Sequence, residues 1–177
     1  MLMIQRRWVS LYFGYTTATM SSRFVVVSFL EKPPAKEFIS SAWPLHMTLL
    51  PPFIYDGHLS EVIDELDYIA HGTNPFSVIT NGNALFGPNE DIPVSLIKPN
   101  HYLSVVHSKL ASLVTKLDLA YEHPALSEAG YRFHITTQGG QEPPADTNIP
   151  ISGFSLVDRQ VNDKQGIKKV IESFEFA

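Results

Sequence analysis

Leu45-His46-Met47-Thr48-Leu49-Leu50-Pro51-Pro52-Phe53 carries one apolar and one polar side. Alternate side chains of a strand point to opposite faces. Leu45, Met47 and Leu49 therefore read as a core face, with His46 and Thr48 together on the other. The pattern returns 134 − 46 = 88 positions later in Tyr131-Arg132-Phe133-His134-Ile135-Thr136. There Phe133 and Ile135 face the core and His134 and Thr136 look away from it, while Arg132 is read as leaving for solvent or an ion pair. Seven histidines and ten threonines in 177 residues supply about 0.4 His-x-Thr triplets by chance. Two such triplets, both in mid-strand and in the same orientation, are a sharper signal than one.

Outward from these two segments the chain reads as alternating strands and helices. Phe24 to Leu30 is a β-branched and aromatic run ended by Pro33-Pro34, and Leu45 to Leu50 is a strand stopped by Pro51-Pro52. Leu59, Val62, Ile63, Leu66 and Ile69 recur at three- and four-residue spacing, which predicts a helix over His58 to Ile69 ended by Gly72. Phe76 to Ile79 and Ala84 to Phe86, then Ile92 to Ile97, read as a hairpin turning through Gly87 to Asp91. Asn100 caps a second helix marked by Leu103, Val106, Leu110, Leu113, Val114 and Leu117. Tyr131 to Thr137, Ile151 to Val157 and Gly166 to Phe176 complete the strands, with Gln138 to Pro150 a polar loop. The hairpin-like spacings predict an α+β protein with antiparallel sheet. Residues 1–22 read as an N-terminal extension outside the folded body of residues 23–177.

Composition narrows the class. Thirteen basic against eighteen acidic residues give −5, and without Arg6 and Arg7 the remainder stands at 11 − 18 = −7. Phosphate backbones are held mainly by Lys and Arg, so this body is a poor non-specific binder of nucleic acid, although it can grip one phosphate locally. No cysteine is present, which excludes a disulfide frame, a zinc ribbon and thiol chemistry. No run approaches the roughly 18 apolar residues of a membrane helix. A soluble, cytoplasmic monomer without membrane association is expected, and no obligate protein partner is inferred.

The paired motifs resemble the two-histidine phosphoesterase superfamily, which includes 2'-5' RNA ligase and RNA 2',3'-cyclic phosphodiesterase proteins and is marked by two His-x-Thr/Ser motifs half a domain apart. Leu45 to Phe53 looks like its first motif with the Pro-Phe exit. Gly130-Tyr131-Arg132-Phe133-His134-Ile135-Thr136 looks like its second, with Phe133 where a proline is common. The resemblance implies two pseudo-symmetric lobes of antiparallel sheet backed by helices, with both motifs facing a central cleft. One departure is plain: many RNA-acting members carry a basic residue shortly after the second motif, whereas Thr137-Gln138-Gly139-Gly140 has none.

Opening a phosphodiester requires a proton taken from the nucleophile, another given to the leaving oxygen, and relief of charge on the phosphoryl oxygens. Two imidazoles, with a reference pKa of about 6.5, suit both transfers. His46 and His134 are thus the candidate catalytic residues, and Thr48 and Thr136 candidate donors to the non-bridging oxygens. By analogy His134 activates water and His46 protonates the leaving ribose oxygen. Phe53 and Tyr131 are candidates for stacking on a base or ribose, with burial in the core the competing reading. No metal or other cofactor is called for, because no cluster of carboxylates adjoins either motif. The expected activity is metal-independent hydrolysis of a 2',3'-cyclic phosphate on a small nucleotide or an RNA terminus, with 2'-5' RNA ligation in reverse. The alternative is a catalytically weak nucleotide- or RNA-binding module of the same fold.

Overall fold

The computed structural model describes residues 22–34, 36–124, 131–143, 145–162 and 166–177. The extension expected over 1–22 lies outside these, except that Ser22 already opens the first strand. The elements run β1 (Ser22–Phe29), β2 (Glu37–Ile39), a 3-10 turn (Ser40–Ala42), β3 (His46–Tyr55), α1 (Leu59–His71), β4 (Phe76–Phe86), β5 (Ile92–Ile97) and α2 (His101–Lys116). They continue with β6 (Ala120–Tyr121), β7 (His134–Thr136), β8 (Asn148–Ile151), β9 (Gly153–Asn162) and β10 (Ile167–Glu175).

Every strand pairing is antiparallel, and the order is β2-β10-β9-β1-β3-β7-β5-β4-β8, with β6 on β3 beside this path. The α+β expectation holds. The two motif strands, β3 and β7, are neighbours at the middle, each with one arm of the sheet on its outer side. Both helices cover one face. Met47, Leu49, Leu50 and Phe53 of β3 and Ile135 of β7 pack there with Val62, Leu66 and Ile69 of α1 and Leu103, Val106, Leu110 and Leu113 of α2. The other face holds a smaller apolar cluster of Val25, Val27, Phe29 and Val157, joined by Phe38, Trp43 and Val170.

The helices begin and end on the expected signals. The Asn100 side chain accepts from the Leu103 amide and caps α2, and Gly72 terminates α1. Several strands differ from their expected form: β4 runs unbroken through Phe76–Phe86 where two pieces were expected, and β2 and β6 are additional. β3 continues through Pro51-Pro52 to Tyr55 instead of stopping there. Its partner shifts register between Phe24 and Val26, so the two prolines sit in a bulge where their missing N–H groups leave no gap in the ladder. β7 is confined to three residues. Asn148–Ile151, expected mostly as loop, pairs with β4 as a separate strand, and Gly153 starts the next. At Gly153 the Phe174 carbonyl would lie 2.3 Å from an added Cβ, so only glycine admits that close passage.

Candidate active site

The register of the two central strands builds the site. Met47 pairs with Ile135, and in an antiparallel ladder the next residues outward then face each other: His46 lies opposite Thr136, and Thr48 opposite His134. All four share the face turned away from the helices. Directly opposed side chains stand about 5 Å apart at Cβ, and diagonal ones about 7–8 Å. The histidines occupy one diagonal of the quartet. The flanking strands extend the row with apolar residues: Phe29 and Val27 of β1 lie opposite His46 and Thr48, and Leu96 and Val94 of β5 opposite His134 and Thr136. The polar quartet is thus framed on both sides by side chains that exclude water.

Each ring is oriented by the same local device. His46 Nδ1 lies 2.8 Å from the Pro44 carbonyl oxygen, and His134 Nδ1 lies 2.7 Å from that of Arg132. A carbonyl only accepts, so Nδ1 carries the hydrogen in both rings and the Nε2 lone pair is left for chemistry. Each ring also has an aromatic neighbour. Trp43 stacks on His46 at 4.8 Å and 25°, with Phe29 edge-on at 6.1 Å, and Phe86 meets His134 edge-on at 4.8 Å. Pro44 holds Trp43 in the extended conformation this stacking uses, since a residue before proline is excluded from helical geometry. Trp43 and Phe86 had no signal in the motifs themselves. Trp43 was visible only as an aromatic three residues before His46, and Phe86 reaches His134 through the hairpin to β5.

Burial pushes the His46 pKa down to about 4, His134's charge adds to that effect, and the Pro44 hydrogen bond works against it. His134 is also lowered, mainly by burial and further by the Arg132 charge, against its own carbonyl bond. Both rings are therefore held neutral in the folded chain more readily than in the unfolded one. The unfolded state binds the extra proton as pH falls below about 6.5, so stability rises with pH in that window and is complete above it. For His46 the shift corresponds to roughly 3 kcal/mol lost between pH 6.5 and 4. Urea unfolding across that range is expected to show this slope, and His46→Asn to flatten it. An unchanged slope in the variant contradicts the assignment.

Thr48 and Thr136 are both half-buried; the Thr48 side chain hydrogen-bonds with the Tyr131 hydroxyl, and no such partner is found for the Thr136 hydroxyl among the described residues. The other two candidates lie elsewhere. Phe53 is wholly buried on the helix side, tilted against Phe24 at 5.8 Å, and cannot meet a base. Tyr131 follows the parity of Phe133 and Ile135 to that same side. It stacks on His107 at 4.9 Å and donates its hydroxyl to the Thr48 carbonyl at 2.8 Å, and burial pushes its pKa up, so it remains a phenol donor. His107 Nδ1 donates likewise to the Leu49 carbonyl at 2.7 Å. These two side chains satisfy β3 carbonyls. Tyr131→Phe is expected to lower stability by about 1–2 kcal/mol while leaving nucleotide affinity unchanged in calorimetry, whereas a stacking role predicts the reverse.

Arg132, expected in solvent or an ion pair, is exposed, and its guanidinium carbon lies 5.2 Å from the Phe86 ring centroid. Among the described residues no three His, Asp or Glu side chains gather as metal ligands would, and no helix is long and apolar enough to cross a membrane.

With this geometry in place, comparisons with known proteins converge. The family model described as the 2'-5' RNA ligase superfamily matches residues 31–150, which is 120 of 177 residues. Among solved structures, TT0787 of Thermus thermophilus superposes with a TM-score of 0.53 at 19% identity, over 87% of this chain and 97% of that one. LigT of E. coli complexed with 3'-AMP gives 0.54 at 12% identity over 89% and 99%. Its phosphate complex gives 0.56 at 13% over 89% and 98%. At these identities the likeness is one of fold. No curated protein sequence matched.

Proposed function

The chain belongs to the 2'-5' RNA ligase superfamily, and from that premise we propose that it is a phosphodiesterase opening 2',3'-cyclic phosphates on a nucleotide or an RNA terminus, with 2'-5' ligation when a 5'-hydroxyl replaces water as the nucleophile and the 3'-oxygen leaves. The observation carrying this reading is the Met47–Ile135 pairing, which sets two histidines with free Nε2 atoms diagonally across one face, each beside a threonine. The nucleotide and phosphate complexes of LigT lend support from a protein of like fold.

In this scheme water attacks phosphorus in line with the leaving ribose oxygen. One Nε2 takes the proton from water, the P–O bond to the leaving oxygen breaks, and the other Nε2–H protonates that oxygen. Thr48 and Thr136 donate to the non-bridging oxygens, whose charge grows in the transition state. By analogy His134 is the base that activates water and His46 the acid that protonates the leaving ribose oxygen. Burial lowers both rings, His46 to about 4. Both rings being depressed, kcat/KM should peak on the acid side of pH 6.5. A bound phosphate anion raises both pKa values and moves the kcat optimum upward.

The experiment is direct: adenosine 2',3'-cyclic phosphate and an oligonucleotide ending in that group are incubated with the protein in excess EDTA. Ring opening to one monophosphate isomer, undiminished by the chelator, is the expected result. Binding without product across about pH 5 to 9 overturns hydrolysis in favour of a nucleotide-binding module.

A further inference from the structure

Arg132 is the only Lys or Arg between Lys116 and Arg159, and it lies on the His134 side of the site. Three arginines fall among the described residues. Arg23 and Arg159 both pair with Glu122, whereas Arg132 has no acidic partner there and is exposed. An unpaired surface arginine is ordinarily free to sweep through solvent, losing rotamer entropy only when it binds something. This one rests over the Phe86 ring at 5.2 Å, a cation–π contact that holds the guanidinium while leaving its N–H edges open. Phe86 is itself fixed by its edge contact with His134 at 4.8 Å and by the turn that follows. There Gly87 adopts φ +91, and an added Cβ would crowd Ile92 and Asp91 at 3.0–3.2 Å. Arg132, Phe86 and His134 form one supported edge of the site.

The scissile phosphate does not need this cation. Its charge is met by two threonine hydroxyls and the imidazolium of the pair. Two residues of extended chain span about 7 Å, so Arg132 stands a step outside the His/Thr quartet, where a neighbouring group of the substrate would lie. The guanidinium fork matches a phosphate in bidentate fashion. We propose that Arg132, backed by Phe86, is a second phosphate-binding point, and that the preferred substrate carries a further phosphate next to the reacting one. That phosphate is either the 5'-phosphate of a mononucleotide or the diester linking the terminal nucleotide to an RNA chain. The location of the reacting phosphate rests on the reading under Proposed function. The pairing of Arg132 with an additional phosphate is a statement about binding, and is tested as such.

Calorimetry with adenosine 3'-monophosphate, adenosine 3',5'-bisphosphate and a diadenylate bearing a 3'-phosphate, on the intact chain, reads the effect without turnover. The wild type is expected to bind one or both doubly charged ligands about tenfold more tightly than the monophosphate, as one charge-assisted contact provides. Arg132→Ala should bind all three alike, Arg132→Lys should recover part of the preference, and Phe86→Leu should fall between wild type and Arg132→Ala. Preference for the bisphosphate assigns the extra phosphate to a free nucleotide, and preference for the diadenylate to an RNA chain. Equal binding of all three by the wild type overturns the proposal, as does an Arg132→Ala loss shared equally by the monophosphate. A preference found in a protein that opens no cyclic phosphate retains this site and removes the hydrolase reading instead.

Discussion

His46→Ala and His134→Ala are each expected to lower kcat for a 2',3'-cyclic phosphate by about 10³-fold, within the 10²–10⁴ range of a positioned acid or base. The size follows from geometry. Each ring is fixed by a carbonyl two residues upstream and framed by apolar neighbours, so water filling the vacancy inherits neither the orientation nor the tuned basicity. The double variant should be little slower than either single one, because two groups acting in one proton relay lose their joint contribution when either is removed. The remaining rate would come from Thr48 and Thr136 holding the phosphoryl oxygens. Assays at several pH values with thermal melts in parallel separate this outcome from unfolding. Substantial activity in either single variant removes the paired-imidazole scheme.

The second large effect is on stability. Met47 and Ile135 are both 0% exposed and face each other across the seam that joins the two arms of the sheet. Met47→Ala and Ile135→Ala should each cost about 4 kcal/mol, from lost burial plus an unfilled cavity beneath the helices. As direct cross-strand partners they should couple, so the double variant loses less than the two single losses added. The site should suffer as well, because the pairing that places His46 opposite Thr136 also places Met47 opposite Ile135. Chemical unfolding measures the first effect and residual kcat the second. Loss of stability with full activity would mean that the histidines do not depend on this seam.

The seam was largely legible in the sequence, and the reason is periodicity. A two-residue repeat separates His46 and Thr48 from Met47, and His134 and Thr136 from Ile135, without reference to any distant contact. The helices were legible for the same reason, with Asn100 and Gly72 as local stops. What depended on remote partners was not. Pro51-Pro52 signals an end to a strand unless the neighbouring strand supplies a bulge, which is what β1 does at Phe24 to Val26. Asn148–Ile151 looks like loop until β4 offers an edge. Phe53 had an aromatic's double character, and only the packing of α1 and α2 decides for the core. Arg132 is exposed as its polarity predicts, but its place over the Phe86 ring depends on a remote partner. Phe86, which holds it there, comes from a hairpin 46 residues earlier.

The paired imidazoles are tested most directly by nitrogen NMR of the histidine side chains during titration with inorganic phosphate, with His46→Ala and His134→Ala used to assign the two rings. One equivalent of phosphate should move the Nε2 resonances of His46 and His134 together along a single binding curve, with Nδ1 of both rings remaining protonated. Two rings responding with separate affinities, or one remaining unmoved at saturation, would contradict a single phosphoryl group held between them.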